Sequence, residues 1–347
     1  MTGNMHLAGK LRDAMRLMRA GDLRGATAAI QRQLAGSAAS MPTAEPSRPA
    51  MDEVNVLPPP DIVPGHGPGR FISGRHRSAA GTRRYKLFIP PAYRGEPLPL
   101  IVMLHGCTQN PDDFATGTRM NEIAAERDCF VVYPEQPRSA NASLCWNWFN
   151  AADQRRDAGE PGIIAGLVRE LMAKYSIDPS RIYVAGLSAG AAMAVILGRT
   201  HPEIFAAVGV HSGLPFGAAH DVPSAFAAMR HGASGVGFQP ASTIPTIVFH
   251  GDRDPTVHPV NGEQVAIDAT GRCPCEVTDD DTSEAGARTF SRKLFKDPDG
   301  TVVVESWTIH GGAHKWSGGD PRGTHTDAAG PDASREMVRF FLERSRR

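Results

Sequence analysis

A serine hydroxyl is a poor nucleophile near neutral pH, and it needs an imidazole base that a carboxylate holds in place. The stretch Gly186-Leu187-Ser188-Ala189-Gly190 offers such a serine. It follows Arg181-Ile182-Tyr183-Val184-Ala185, a short β-branched and aromatic run, and precedes the breaker-free apolar segment Ala191–Leu197. A strand–GxSxG–helix passage bends so sharply that only small residues fit two positions either side of the serine, and it lifts the hydroxyl above the sheet edge. The same pattern also suits an ordinary strand–helix turn, so the partners decide between the two readings.

Where a nucleophile tops a doubly wound sheet, the carboxylate and then the histidine follow it in the chain, each after a later strand. The acid candidates lie beyond the apolar run Thr246–Phe249, in His250-Gly251-Asp252-Arg253-Asp254-Pro255-Thr256-Val257. Asp254 is preferred, because it stands past the turn and is free to point at a histidine. Asp252, the alternative, suits a turn that it stabilises through its own backbone. The base candidate is His314, in the loop His310-Gly311-Gly312-Ala313-His314-Lys315-Trp316 after the run ending at Ile309. His310 still belongs to the strand end and reads as a packed histidine. Two preorganised donors must face a developing oxyanion. The Ala189 N–H follows the nucleophile, and the Cys107 N–H lies in the loop His105-Gly106-Cys107-Thr108-Gln109 after another apolar run.

The elements that must position these residues alternate in type. Phe71-Ile72 and Tyr85–Ile89 read as a leading antiparallel pair. Leu100–Leu104, Phe130–Tyr133, Ile182–Ala185, Ala207–Val210, Thr246–Phe249 and Thr301–Val304 read as buried strands. Helices are expected near Asp112–Asp128, around Ile164–Leu171, after Ser188, and from Asp332 to about Arg344. Continuous apolar strands alternating with helices imply a mostly parallel sheet covered on both faces, an α/β fold. Inserts at about 214–244 and 270–297 flank the site and are candidates for a lid.

Residues 68–347 form the expected catalytic domain. Residues 1–35 read as a basic amphipathic helical hairpin, with Leu7, Leu11, Met15 and Met18 on one stripe and Leu23, Ala26, Ile30 and Leu34 on the next. Its stripe is expected to pack on the body or on a sister subunit, or to touch a lipid or polymer surface. Residues 36–67, rich in Ala, Ser, Pro and Gly, read as a flexible linker.

Bulk properties exclude several classes. Lys plus Arg equals Asp plus Glu at 37 each, so no global field argues for a nucleic acid partner. No apolar run is long enough for a transmembrane segment. The N-terminus is not a continuous apolar signal, which gives a cytoplasmic expectation, with non-classical export to the outside as the alternative. The five cysteines do not describe a disulfide scaffold, and Cys273-Pro274-Cys275 has poor spacing for zinc.

Several stretches together resemble esterases of the polyhydroxybutyrate (PHB) depolymerase type, in the α/β-hydrolase superfamily. They are Leu104–Gln109, Cys145-Trp146-Asn147-Trp148-Phe149, Asp178–Gly190, His250–Asp254, Gly311–Trp316 and Gly330–Met337. The resemblance covers about residues 68–347. It implies a triad of Ser188, Asp254 and His314, an oxyanion site served by Cys107, no cofactor, and a polyester or small-ester substrate. It also names Trp146, Trp148 and Trp316 as exposed candidates for laying aromatic faces along a polyester chain, against the alternative that they are core residues. A bridge between Cys107 and Cys145, fixing the oxyanion loop, is left open. Related members act on feruloyl or acetyl esters, so such an esterase is the runner-up. A non-catalytic granule-binding protein is the alternative from another class. Secreted polymer degraders of this type usually carry a signal peptide and substrate-binding domains. None is visible here, which points to an intracellular depolymerase or a soluble oligomer esterase, with residues 1–35 as the candidate granule contact.

Overall fold

The computed structural model describes residues 69–234, 244–271, 275–280 and 288–346. The expected hairpin 1–35 and linker 36–67 lie outside the described residues, as do parts of both inserts and Cys273.

The sheet follows from strands apolar on both sides. Strands β1 (Arg70–Ser78), β2 (Gly81–Ile89), β3 (Leu98–Leu104), β4 (Phe130–Pro134), β5 (Ile177–Leu187), β6 (Ala207–His211), β7 (Thr246–Gly251), β8 (Glu276–Asp280), β9 (Phe290–Lys296) and β10 (Val302–Ile309) form one ten-stranded sheet. Its order is β1-β2-β4-β3-β5-β6-β7-β10-β9-β8. The six strands from β4 to β10 in that order run parallel, and antiparallel strands finish both edges.

Side-chain alternation divides the core between the two faces. Leu100, Val102 and Leu104 of β3 and Ile182 and Val184 of β5 join one apolar cluster. Ile101, Met103, Tyr183, Ala185 and Leu187 join the other. Helices α1 (Pro111–Thr118), α2 (Met120–Glu126) and α7 (Ala333–Leu342) cover the second face. Helices α3 (Gly159–Lys174), α4 (Ala189–Thr200), α5 (Val222–His231) and α6 (Val260–Thr270) cover the first. Burying a Leu, Ile or Val side chain stabilises by roughly 1.5–3 kcal/mol, so a strand buried on both faces anchors strongly whatever loop it carries.

One expectation is corrected. The single helix near Asp112–Asp128 is two helices, because Arg119 adopts a left-handed conformation (φ 55°) between them. Asn110 caps the first, accepting from the Asp113 N–H at 3.0 Å, with Pro111 at its first position. The described parts of the inserts, offered as lid candidates, hold regular structure. Helix α5 lies in the first insert, and β8 and β9 extend the sheet from β10 in the second. Among the described residues no helix is long and apolar enough to cross a membrane.

Candidate active site

Because six strands run parallel, the loops after β3, β5, β6, β7 and β10 all leave one edge of the sheet. These loops hold the sequence-derived candidates. Ser188 joins β5 to α4 with φ 57° and ψ −119°, a conformation an L-residue adopts only when the surroundings impose it. Its N–H donates to the His211 carbonyl at 2.9 Å, pinning the turn to the end of β6. A Cβ on Gly190 would run into the Leu104 carbonyl oxygen and lie 2.6 Å from that of His105. The N-terminus of α4 therefore abuts the end of β3 and the start of the His105–Gln109 loop. That contact sets the loop carrying Cys107 beside the turn that carries Ser188 and Ala189.

The acid and base loops cross each other. A Cβ on Gly251 would collide with the Gly312 carbonyl, and the Arg253 N–H donates to that same carbonyl at 3.0 Å. The crossing sorts the sequence alternatives into two separate pairs. Asp254 Oδ2 accepts from His314 Nδ1 at 2.7 Å, with the carboxylate fully buried and the imidazole 13% exposed. Asp252 faces His310 Nδ1 at 3.1 Å and accepts from the Gly311 N–H at 2.7 Å, while His310 Nε2 meets Ser291 Oγ at 2.9 Å. That second pair is half-exposed and belongs to the turn.

Asp254 Oδ1 accepts from the Thr256 and Val257 amides at 2.8 and 2.9 Å. A second imidazole, His250, donates from Nε2 to the Val257 carbonyl at 2.9 Å and lies 3.5 Å from Asp254 Oδ2. Burial alone would raise the Asp254 pKa. Its hydrogen bonds and charge interactions with His250 and His314 outweigh burial and hold it well below the usual carboxylate range. With the carboxylate bonded at Nδ1, the ring nitrogen of His314 that Asp254 does not engage is Nε2.

Beneath this pair sits His211, at the end of β6. Its ring stacks on Phe249 and Trp316, its Nε2 accepts from the Ser317 N–H at 3.0 Å, and burial lowers its pKa to about 3. It is therefore neutral and structural.

The His105–Gln109 loop is braced from three sides. A disulfide joins Cys107 to Cys145, settling the open pairing. Trp146 Nε1 donates to the His105 carbonyl at 3.1 Å, and the Thr108 N–H donates to the Ser143 carbonyl at 2.8 Å. Gln109 accepts from the Gly106 N–H at 2.9 Å and donates to Asp113 at 2.9 Å.

The tryptophan expectation is corrected. Trp146, Trp148 and Trp316 are 0%, 6% and 1% exposed, so none lays an open ring face along a substrate. Trp316 donates to Ser334 Oγ at 3.0 Å and packs edge-on against Phe114, inside the core. Large amphipathic rings fill volume most favourably where their N–H also finds an acceptor, and here it does. Sequence reasoning missed His250, His211 and the hydrogen bonds that brace the His105–Gln109 loop beside the disulfide, although His250 stands in the same motif as Asp254.

A cavity of about 30 Å³ lined by Val195, Val208, Phe216, Thr246 and Val265 lies toward the N-terminal ends of β6 and β7, at the other edge from Ser188. Among the described residues no cluster of His, Cys, Asp and Glu suits a metal ion.

A twisted, mostly parallel sheet carrying a serine elbow, then an acid loop and a histidine loop, is the α/β-hydrolase fold. The acetyl xylan esterase from Aspergillus awamori shares it, with a TM-score of 0.54 and 19% identity over 70% of this chain and 94% of that one. The family model described as esterase PHB depolymerase matches residues 83–272, more than half the chain, and the protein belongs to that family. Among curated relatives, poly(3-hydroxyalkanoate) depolymerase C of Paucimonas lemoignei is 36% identical over 233 residues, 62% of this chain and 54% of that protein. Feruloyl esterase B of Neurospora crassa is 33% identical over 132 residues, 38% of this chain and 44% of that protein. The chain thus spans about half the length of the relatives it matches.

Proposed function

We propose that the protein is a serine hydrolase of carboxylic esters acting on polyhydroxyalkanoate polymer or its oligomers. The observation that carries the chemistry is the buried Asp254–His314 pair at 2.7 Å, at the sheet edge where Ser188 emerges. In this reading Ser188 Oγ attacks the ester carbonyl and His314 Nε2 takes its proton, then returns it to the leaving alcohol. Asp254 holds the imidazolium that forms. The Cys107 and Ala189 amides receive the oxyanion, and water, activated by the same histidine, releases the acid. No cofactor enters any step. Support for a polyester substrate comes from the relative matched over the larger share of this chain, the depolymerase at 62% against 38% for the feruloyl esterase.

A fluorophosphonate probe tests the nucleophile: folded protein whose Ser188 stays unmodified would exclude the enzyme reading and favour a granule-binding protein. Amorphous polyhydroxybutyrate, a hydroxybutyrate oligomer and methyl ferulate, assayed side by side, test the substrate. Hydrolysis of ferulate alone would transfer the protein to the feruloyl and acetylxylan esterases. The same reading keeps residues 1–35 as a granule contact, which their deletion tests by loss of sedimentation with polymer granules.

The Cys107–Cys145 bridge bears on location. Disulfides persist in oxidising compartments, so the bridge favours such a compartment over the cytoplasmic expectation. Thiol counting on denatured protein, purified without reductant, must find two more thiols after reduction of this bridge.

A further inference from the structure

Glu160, the second residue of α3, is a carboxylate only 3% exposed and far from any role assigned so far. Burying a charge is costly, and a well-packed apolar residue is often at least as stable. Its partners indicate what the charge does. Arg83 of β2 donates to Oε1 at 3.2 Å. Among the described residues the other donors come from two residues. Gln136 Nε2 donates to Oε1, and Asn147 donates its side-chain amide to Oε1 at 2.8 Å and its backbone N–H to Oε2 at 2.7 Å.

Both residues hold the braces of the oxyanion loop. The Gln136 side-chain amide also donates to the Cys145 carbonyl at 2.8 Å, and its backbone N–H donates to His105 Nε2 at 3.2 Å. Asn147 adjoins Trp146, whose indole holds the His105 carbonyl, and Trp146 in turn adjoins Cys145, whose sulfur is bonded to Cys107. A continuous path of bonds therefore runs from one buried carboxylate through residues 136 and 145–147 to the amide of Cys107.

We propose that Glu160 is the positioning residue of the oxyanion loop, holding the Cys107 amide in line with Ser188 through Gln136 and Asn147. The inference rests on the ester-hydrolase reading. The charged or titratable groups around the carboxylate are Arg83 on β2, Asp153 in the 3-10 turn Ala151–Gln154, and His105 beyond Gln136. Asp153 Oδ1 accepts from the Glu160 N–H at 2.8 Å. Burial, then the neighbouring Asp153 charge, pushes the Glu160 carboxyl up to about 6, while burial lowers the His105 pKa to about 4. A proton on Glu160 would meet donors from Gln136 and Asn147 on both oxygens, so the path slackens in mildly acidic solution.

The test is Glu160→Gln, assayed on p-nitrophenyl butyrate. Moving one oxyanion donor off line is expected to lower kcat by about tenfold to a hundredfold, with KM within about twofold. Affinity for a trifluoromethyl ketone, whose adduct carries an oxyanion, should fall in parallel with kcat/KM. The fall of kcat in mildly acidic solution should be weaker than in the wild type, because the Glu160 proton is removed. Unchanged kcat, or a loss expressed only in KM, overturns the proposal. Should Glu160→Gln not fold, Gln136→Met leaves Glu160 in place and cuts its link to Cys145. That variant must show the same kcat-selective loss, and wild-type kcat in it refutes the path. Failure of the underlying reading is separate, since there the wild-type protein itself would show neither ester turnover nor Ser188 labelling.

Discussion

Acidification from pH 8 to pH 5 is expected to cost this protein about 3 kcal/mol of stability, chiefly through two buried histidines. His105 and His211 are 1% and 0% exposed, and burial lowers their pKa values from the ordinary 6.5 to about 4 and about 3. A histidine whose folded pKa lies below its unfolded value leaves stability intact above about 6.5 and withdraws it as the pH falls toward the folded value. At pH 5 the unfolded chain carries both protons and the folded chain neither, a loss of about 2 kcal/mol from each. Glu160 works in the opposite direction. Its folded pKa, raised to about 6 from 4.5, favours the folded state by about 1 kcal/mol as it takes up a proton across the same interval. Depressed carboxylates such as Asp254 withdraw their contribution only below about pH 4, outside this window. Urea unfolding at pH 8, 7, 6 and 5 measures the change. The variant His211→Gln, whose amide oxygen can replace Nε2 as acceptor for the Ser317 N–H, should abolish about 2 kcal/mol of the pH dependence. Stability equal or greater at pH 5 than at pH 8, or an unaltered slope in His211→Gln, would refute the reasoning.

Further outcomes are expected. Asp254→Asn should lower kcat by roughly 10⁴ with little change in KM, because the amide favours the wrong His314 tautomer; Asp252→Asn, which disturbs the half-exposed His310 pair and the bond to the Gly311 N–H, should leave kcat within a few-fold. Replacing Cys107 and Cys145 together by serine frees a loop of 38 residues, and urea unfolding should register a loss of about 4 kcal/mol from chain entropy. Trp316→Ala should cost about 3–5 kcal/mol, read as a lowered Tm, while KM for a small soluble ester stays near the wild-type value. A raised KM at unchanged Tm would instead return that ring to the substrate.

Local chemistry decided more of this protein than its length would suggest. The β5–Ser188–α4 turn is encoded within a dozen residues, since a short β-rich run, a serine between small residues and a breaker-free apolar segment admit few other conformations. Continuous apolar strands likewise announced a sheet covered on both faces, and the order Ser188, Asp254, His314 followed from which strands they succeed. The sequence favoured Asp254 over Asp252 as the partner of His314, and the tertiary structure made both pairs. Asp252 and Asp254 are two residues apart, and only the crossing of the β7 and β10 loops sends one to His310 and the other to His314, 60 residues away. The tryptophans were legible as large amphipathic rings, yet their burial depends on His105, Ser334 and Phe114, which no local pattern connects to them. The Glu160 network had no sequence signature for the same reason. A turn is set by sterics between neighbours, whereas the solvation of a carboxylate or an indole is set by whatever distant segments close over it.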